Sequence, residues 1–202
     1  MRKGDFEKTF RWFEANMNLS LEILDESSDW PRVGKIWIQE AAVLKVVADW
    51  EVLVETLMVD CLNRDSSTYS ETMGLALPTH LPWGTCRAII QGLGYFSFGT
   101  MDDLVGKSRR TLDAKWNPFV AIPRGARRKL DEFLAFRNYL AHYSSLARLR
   151  VDRIYKRTYR LKRFTEPGAF LMARPSRSGK PRYADYFAAF EEAVSAMDEA
   201  LE

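Results

Sequence analysis

Apolar residues recur at helical spacing along most of the chain. Phe6, Phe10, Phe13, Met17, Leu21 and Leu24 fall on one face, which predicts an amphipathic first helix ending near Asp25-Glu26-Ser27-Ser28. Trp30-Pro31 interrupts the pattern, with Pro31 placed to open the next helix. The longest helical pattern runs from about Val33 to Leu62. From Val43 onward it is apolar on most sides, which predicts the central, most buried helix. Asn63 to Ser70 reads as a polar turn, Leu77 to Gly84 as a rigid proline-bounded loop, and Thr85 to Leu93 as a short helix. Tyr95-Phe96-Ser97-Phe98 reads as a buried connection. Thr100 followed by Asp102 and Asp103 marks a helix start, and that helix should run to about Leu112. After the break at Asp113 to Pro118, a strongly amphipathic segment begins near Gly125. Leu130, Phe133, Leu134, Leu140 and Ala141 lie on its apolar stripe. Tyr183, Phe187, Phe190, Val194, Met197 and Leu201 define a closing helix.

These elements predict an all-α helical bundle, one domain over residues 1–202, with a basic segment at 145–182 before the closing helix. The pattern leaves 145–164 open between a continued helix and a strand pairing with 169–174. A small β-hairpin or a loop insertion is therefore expected near 155–182, where Pro167-Gly168 and Ser176 to Pro181 are loop signals.

Composition narrows the class. Hydrophobic residues at 47% are enough for a real core. The most apolar stretch, 36–62, is interrupted by Glu40, Lys45, Asp49, Glu51 and Glu55, so no membrane span is expected. The first residues lead into a charged helix without a signal-peptide core, and a cytoplasmic location is expected. Cys61 and Cys86 lack metal-ligand spacing and read as buried, reduced thiols. His80, between prolines, reads as a loop histidine. No metal site and no cofactor are expected.

Charge adds one feature. The net charge of +3 is modest, but Arg148, Arg150, Arg153, Lys156, Arg157, Arg160, Lys162 and Arg163 form one run. Such a run neutralises nucleic-acid phosphates or simply faces solvent. Tyr155 and Tyr159 interleave with it and offer rings on which bases can stack.

The chemistry centres on Phe136-Arg137-Asn138-Tyr139-Leu140-Ala141-His142-Tyr143, which holds one of only two histidines. Arg137 falls within the apolar stripe. A guanidinium keeps its charge, so there it needs a carboxylate, a bound anion or a polar seam. Glu51 and Glu55, four apart on the long central helix, could form one acidic spot. One of them, preferably Glu51, is the expected partner of Arg137. Asn138 and His142 are also four apart and share a second face. Arginine grips phosphate with a planar fork, histidine takes and gives a proton near neutral pH, and asparagine orients either. This set suits attack of a ribose 2′-hydroxyl on its own 3′-phosphate, a reaction that needs base, acid and charge stabilisation. The structural alternative is an Arg137 paired to a helix carboxylate and a His142 that merely ends a helix.

Arg137-Asn138-x-x-x-His142 near the end of a late helix resembles the motif of the HEPN superfamily (higher eukaryotes and prokaryotes nucleotide-binding domain), whose ribonucleases carry Arg, four to six residues, then His. Ala48-Asp49-Trp50-Glu51 within a long apolar helix is similar to the Trp-Glu helix of several of its subfamilies. The likeness covers about 35 to 145 plus the closing helix. It implies a HEPN-like bundle that forms homodimers, with two motifs facing across a composite cleft. It also implies a metal-independent endoribonuclease of the toxin–antitoxin or phage-defence type, held in check by a cognate antitoxin or regulatory protein. On that reading Arg137 and His142 are the catalytic pair and Asn138 the polar assistant. Arg148, Arg153, Lys156, Arg157 and Arg160 hold RNA, and Glu51 and Tyr143 support the site. Some members carry His-x-Tyr, whose tyrosine a partner nucleotidyltransferase modifies. Here Tyr143 follows His142 directly, a departure from that pattern. Other members are non-catalytic modules that bind nucleotides, RNA or a partner protein. A third possibility is a helical nucleic-acid-binding protein in which the basic run matters and the motif does not.

Overall fold

The computed structural model describes residues 6–92, 96–176 and 179–202. It is all-α. The helices are α1 (Phe6–Glu26), α2 (Arg32–Arg64), α3 (Ser67–Met73), α4 (Trp83–Gln91), α5 (Met101–Thr111), α6 (Arg124–His142), α7 (Ser145–Thr158), α8 (Pro167–Met172) and α9 (Arg182–Glu199). Short 3₁₀ turns lie at Ser27–Asp29, Ala114–Trp116 and Pro118–Val120. Among the described residues no strand occurs, and no helix is long and apolar enough to cross a membrane.

Helix α2 is the spine, packed against α1, α4, α6 and α8. Trp50 sits at its centre, fully buried, with Phe13 of α1 at 5.7 Å and Phe190 of α9 at 5.4 Å between ring centroids. A second aromatic cluster joins Phe133 and Phe136 of α6 to Tyr155, Phe170 and Tyr186. Truncating a ring of this kind to alanine costs about 3–5 kcal/mol. Edge-to-face contacts add about 0.5–1.5 kcal/mol per pair.

Two expectations need correction, and one alternative left open is decided. Asn63 to Ser70 is not a plain turn, because α2 continues to Arg64 and α3 starts at Ser67. The polar side chains there hold the junction together. Asp65 Oδ1 accepts from the Ser67 N–H at 2.9 Å, and the Ser66 hydroxyl donates to the Pro78 carbonyl at 2.6 Å. No hairpin forms within the described part of 155–182. Instead the Ser144 hydroxyl caps α7 by accepting from the Ala147 N–H, and α7 runs to Thr158. There Arg160, with φ at +54°, turns the chain, and the Leu161 N–H returns to the Tyr155 carbonyl at 3.1 Å. The connection before α5 is half-buried at Phe96 and Phe98 and exposed at Ser97. Tyr95, Leu93 and Gly94, and the Arg177-Ser178 pair of the expected second loop, lie outside the described residues. Helix α4 starts two residues earlier than its pattern suggests, behind Pro82. The start of α5 is as read, with the Thr100 hydroxyl accepting from the Asp103 N–H at 3.1 Å.

Helix α8 lies unusually close to α2. A Cβ on Gly168 would stand 2.4 Å from the Ile36 carbonyl oxygen, so only glycine fits there. The Gly168 N–H points at the Glu40 carboxylate, at 3.3 Å. The closing helix and α7 are tied to α6 through polar atoms. Tyr159 and Tyr186 both donate to Glu132 Oε2, at 2.7 and 2.8 Å, and Lys129 Nζ donates to the Tyr159 oxygen at 2.7 Å.

Candidate active site

Two neighbouring residues of α2 face in different directions because each helical step turns about 100°. Trp50 enters the core, and Glu51 is carried round to the rim, where α6 passes. There Arg137 Nη2 donates to both Glu51 oxygens, at 2.7 and 2.5 Å. The pairing expected from sequence is present. Arg137 Nη1 donates to Asn138 Oδ1 at 3.0 Å, so the amide braces the same guanidinium. The Arg137 side chain is 25% exposed and that of Glu51 19%. The guanidinium is therefore held in place at the surface rather than sealed in the core. Glu55 does not join Glu51 in one acidic spot. It accepts from Gln91 Nε2 at 2.7 Å and lies 3.9 Å from Arg87, both on α4. A groove of about 400 Å³ lies there, bordered by Val52, Glu55, Trp83 and Arg87.

His142 is the last residue of α6 and is exposed. It lies about 7.5 Å along the axis from Arg137 and about 140° round the helix. No hydrogen-bond partner is found for its ring among the described residues. Tyr143 follows in the left-handed conformation, with φ at +46°, and ends the helix. Its ring stands edge-on to Tyr139 at 5.3 Å. Ala141, expected on the apolar stripe, is exposed, because the helix has by then run past the core it packs on.

The end of α6 is buttressed from a direction that sequence reading missed. The Tyr139 hydroxyl donates to Glu166 at 3.1 Å, and its ring packs on Phe164 at 5.5 Å. Burial and the nearby Glu166 charge push the Tyr139 hydroxyl above its ordinary range. One signal was available, since Glu166 is the only acidic residue between Asp152 and Asp185. Glu166 also neighbours Glu40, far toward the start of α2 from Glu51.

The basic residues divide. Arg148, Arg153, Lys156, Arg157 and Arg160 are all exposed. Arg148, on the first turns of α7, lies nearest the motif, with its guanidinium 4.5 Å from the Phe164 ring centre. It borders a hollow of about 420 Å³ with Ser145, Leu149, Asp152 and Phe164. Lys156 is paired with Asp152 at 2.6 Å. Arg157 lies near the far end of α7, on the order of 13 Å along the axis from Arg148, and Arg160 lies just beyond that end. The two tyrosines do not serve as base platforms. Tyr155 is fully buried among Phe136, Phe164 and Phe170, and Tyr159 is bound to Glu132, Tyr186 and Lys129. Cys61 and Cys86 are buried, and burial raises both thiols, Cys86 to about 11. His80 lies exposed in its loop.

No family model, no curated protein and no solved structure matches this chain.

Proposed function

We propose that the chain is an endoribonuclease of HEPN type, cleaving RNA by attack of a 2′-hydroxyl on the adjacent phosphorus. The observation that carries this reading is the Arg137 guanidinium, which is braced by Glu51 and Asn138 yet open at the surface, on the helix that ends in the exposed His142. Such an arginine is oriented before substrate arrives, which is what electrostatic stabilisation of a phosphorane-like transition state requires. In the reaction the 2′-oxygen bonds to phosphorus as its proton passes to a base. The bond from phosphorus to the 5′-oxygen breaks, and an acid returns a proton to that oxygen. The products are a 2′,3′-cyclic phosphate and a 5′-hydroxyl. One imidazole cannot reach both sides of the phosphorus, so two copies of His142, one per chain of a homodimer, divide the two roles. Arg148, with Arg153 behind it, guides the RNA strand. An activity of this kind fits a toxin or phage-defence effector with a cognate inhibitor.

A second reading has its own support. The Glu51 ion pair satisfies Arg137 within the protein, as a non-catalytic module that binds nucleotides, RNA or a partner protein would require. One experiment separates the two. A mixed RNA pool is incubated in excess EDTA with wild type, Arg137→Ala and His142→Ala at equal folded concentration. Cleavage by wild type alone, with cyclic-phosphate ends and none at a 2′-deoxy position, supports the nuclease. Equal background from all three overturns it in favour of the binding module.

A further inference from the structure

The groove between α2 and α4 plays no part in the chemistry proposed above. Val52 and Val59 of α2 and the Trp83 indole of α4 line it with apolar surface. The indole is 40% exposed, yet it is held in place, because its Nε1–H donates to Oδ1 of the buried Asp60 at 2.7 Å. The polar groups of the groove are Glu55, Arg87 and Gln91. Gln91 Nε2 donates to Glu55 Oε1 at 2.7 Å and so orients the carboxylate. No described residue donates to Glu55 Oε2, although the side chain is only 19% exposed. A largely buried acceptor left without a donor is costly. Arg87 lies 3.9 Å from Glu55 and 5.6 Å from the Trp83 ring centre, and it makes no hydrogen bond to a described residue. The volume of about 400 Å³ falls within the range of small-molecule sites, roughly 300–1,000 Å³.

We propose that this groove binds a guanine base, laid on the Trp83 indole, with its N1–H and 2-amino group donating to Glu55. One carboxylate and one guanidinium balance in charge, so the groove suits a neutral planar group rather than a phosphate. An indole face stacks on any base, and the choice among bases is made at their edges. An ionised carboxylate only accepts hydrogen bonds. Among the RNA bases, guanine alone carries two adjacent donors on its Watson–Crick edge, with the O6 acceptor beside them. Glu55 meets the donors, and Arg87 supplies an N–H to O6. Adenine, cytosine and uracil each set an acceptor beside their donor, and that acceptor would face a carboxylate oxygen, which repels it. The groove opens one turn of α2 away from the residue that holds Arg137. Glu55 follows Glu51 by about 6 Å along the helix axis. A strand with a phosphate at Arg137 can therefore set a neighbouring base in the groove. That role in choosing the cut site rests on the nuclease reading above, whereas guanine binding itself does not.

The indole N–H signal of Trp83 in a nitrogen-15 spectrum, identified by its absence from Trp83→Phe, tests this. Guanosine monophosphate is expected to shift it in wild type, with an affinity at least about tenfold above that of the adenosine, cytidine and uridine monophosphates. Inosine monophosphate lacks only the 2-amino donor and should bind about tenfold more weakly than guanosine monophosphate, the loss of one hydrogen bond to a charged group. Glu55→Gln keeps the shape and replaces one acceptor by a donor. It should lose the preference for guanine with unchanged helical circular dichroism. A 2′-O-methyl oligonucleotide of uridines around a single guanosine identifies the source of the base. Tighter binding than guanosine monophosphate assigns the groove to an RNA strand, and equal binding assigns it to a free nucleotide. No shift with guanosine monophosphate, equal affinity for all the nucleotides, or a guanine preference that survives Glu55→Gln overturns the proposal. Guanine binding by a protein that does not cut RNA leaves the groove standing and removes only the nuclease reading. RNA cleavage without guanine binding does the reverse.

Discussion

Both carboxylate oxygens of Glu51 lie on a single nitrogen of Arg137, Nη2, while Nη1 turns to Asn138. The ion pair thus occupies one corner of the guanidinium, and the Asn138 amide a second. Replacing Glu51 by Gln removes the counter-charge but preserves shape. Because the pair is partly exposed, the expected loss of stability is modest, about 1–2 kcal/mol in urea denaturation. RNA cleavage should fall at least about tenfold if orientation of Arg137 supplies as little as 1.4 kcal/mol of transition-state stabilisation. Unchanged stability together with unchanged cleavage would show that the pair positions nothing.

Gly168 marks the closest approach of two helices. With the Ile36 carbonyl 2.4 Å from where a Cβ would stand, Gly168→Ala must push α8 away from α2. Overpacking of this kind costs about 1–3 kcal/mol. The shift should also loosen Glu166 from Tyr139, two residues up the chain from the glycine. Thermal melting reads the first effect, and hydrogen exchange at the end of α6 reads the second. A melting temperature equal to that of wild type would refute the close packing.

Glu40 gives a pH dependence of defined sign. Burial raises its carboxyl above the ordinary 4.5, and the neighbouring Glu166 adds to the shift. A raised carboxyl means that the folded state holds its proton more tightly than the unfolded chain does. The stabilising contribution is then full below about pH 4.5 and is lost as pH rises through the folded value. Glu40→Gln keeps an acceptor for the Gly168 N–H without the charge. It should be more stable than wild type at pH 7, and the difference should vanish near pH 4. Urea denaturation at both values checks this, and a variant less stable than wild type at pH 7 would contradict it.

Tyr159 separates a structural role from a nucleic-acid one. Its hydroxyl is shared by Glu132, Tyr186 and Lys129. Tyr159→Phe leaves those groups short of a partner and should cost about 1–3 kcal/mol. RNA affinity at equal folded concentration should not change. Arg148→Ala should do the reverse, weakening RNA binding and flattening its salt dependence by about one unit of slope while stability stays within about 0.5 kcal/mol. Because phenylalanine keeps the ring, Tyr159→Leu is the test of stacking, and a loss of RNA affinity in it at equal folded concentration would restore that role.

The helices were legible because their apolar positions recur with a helical period, and the buried stripes of α1, α2, α6 and α9 follow that period closely. The Arg137–Glu51 pair was legible for a related reason, since a charge on an apolar face demands a partner and the long central helix offers few. The basic tail was less readable. Arg-rich sequence with interleaved tyrosines looks alike whether the rings face solvent or core, and Tyr155 was turned inward by the aromatic cluster across from it. Glu166 was missed because its partner, Tyr139, lies on another helix, and no local period signals a contact between segments so far apart.

That separation matters during synthesis as well. Glu51 and Arg137 stand 86 positions apart in the chain. A ribosome that has delivered the long spine helix has made the anchor but not the group it holds. The basic α7 and the buttress at Glu166 come later still. Until α6 emerges and docks, Arg137 lacks the carboxylate that orients it, so on the proposed nuclease reading the growing chain would not yet cut RNA.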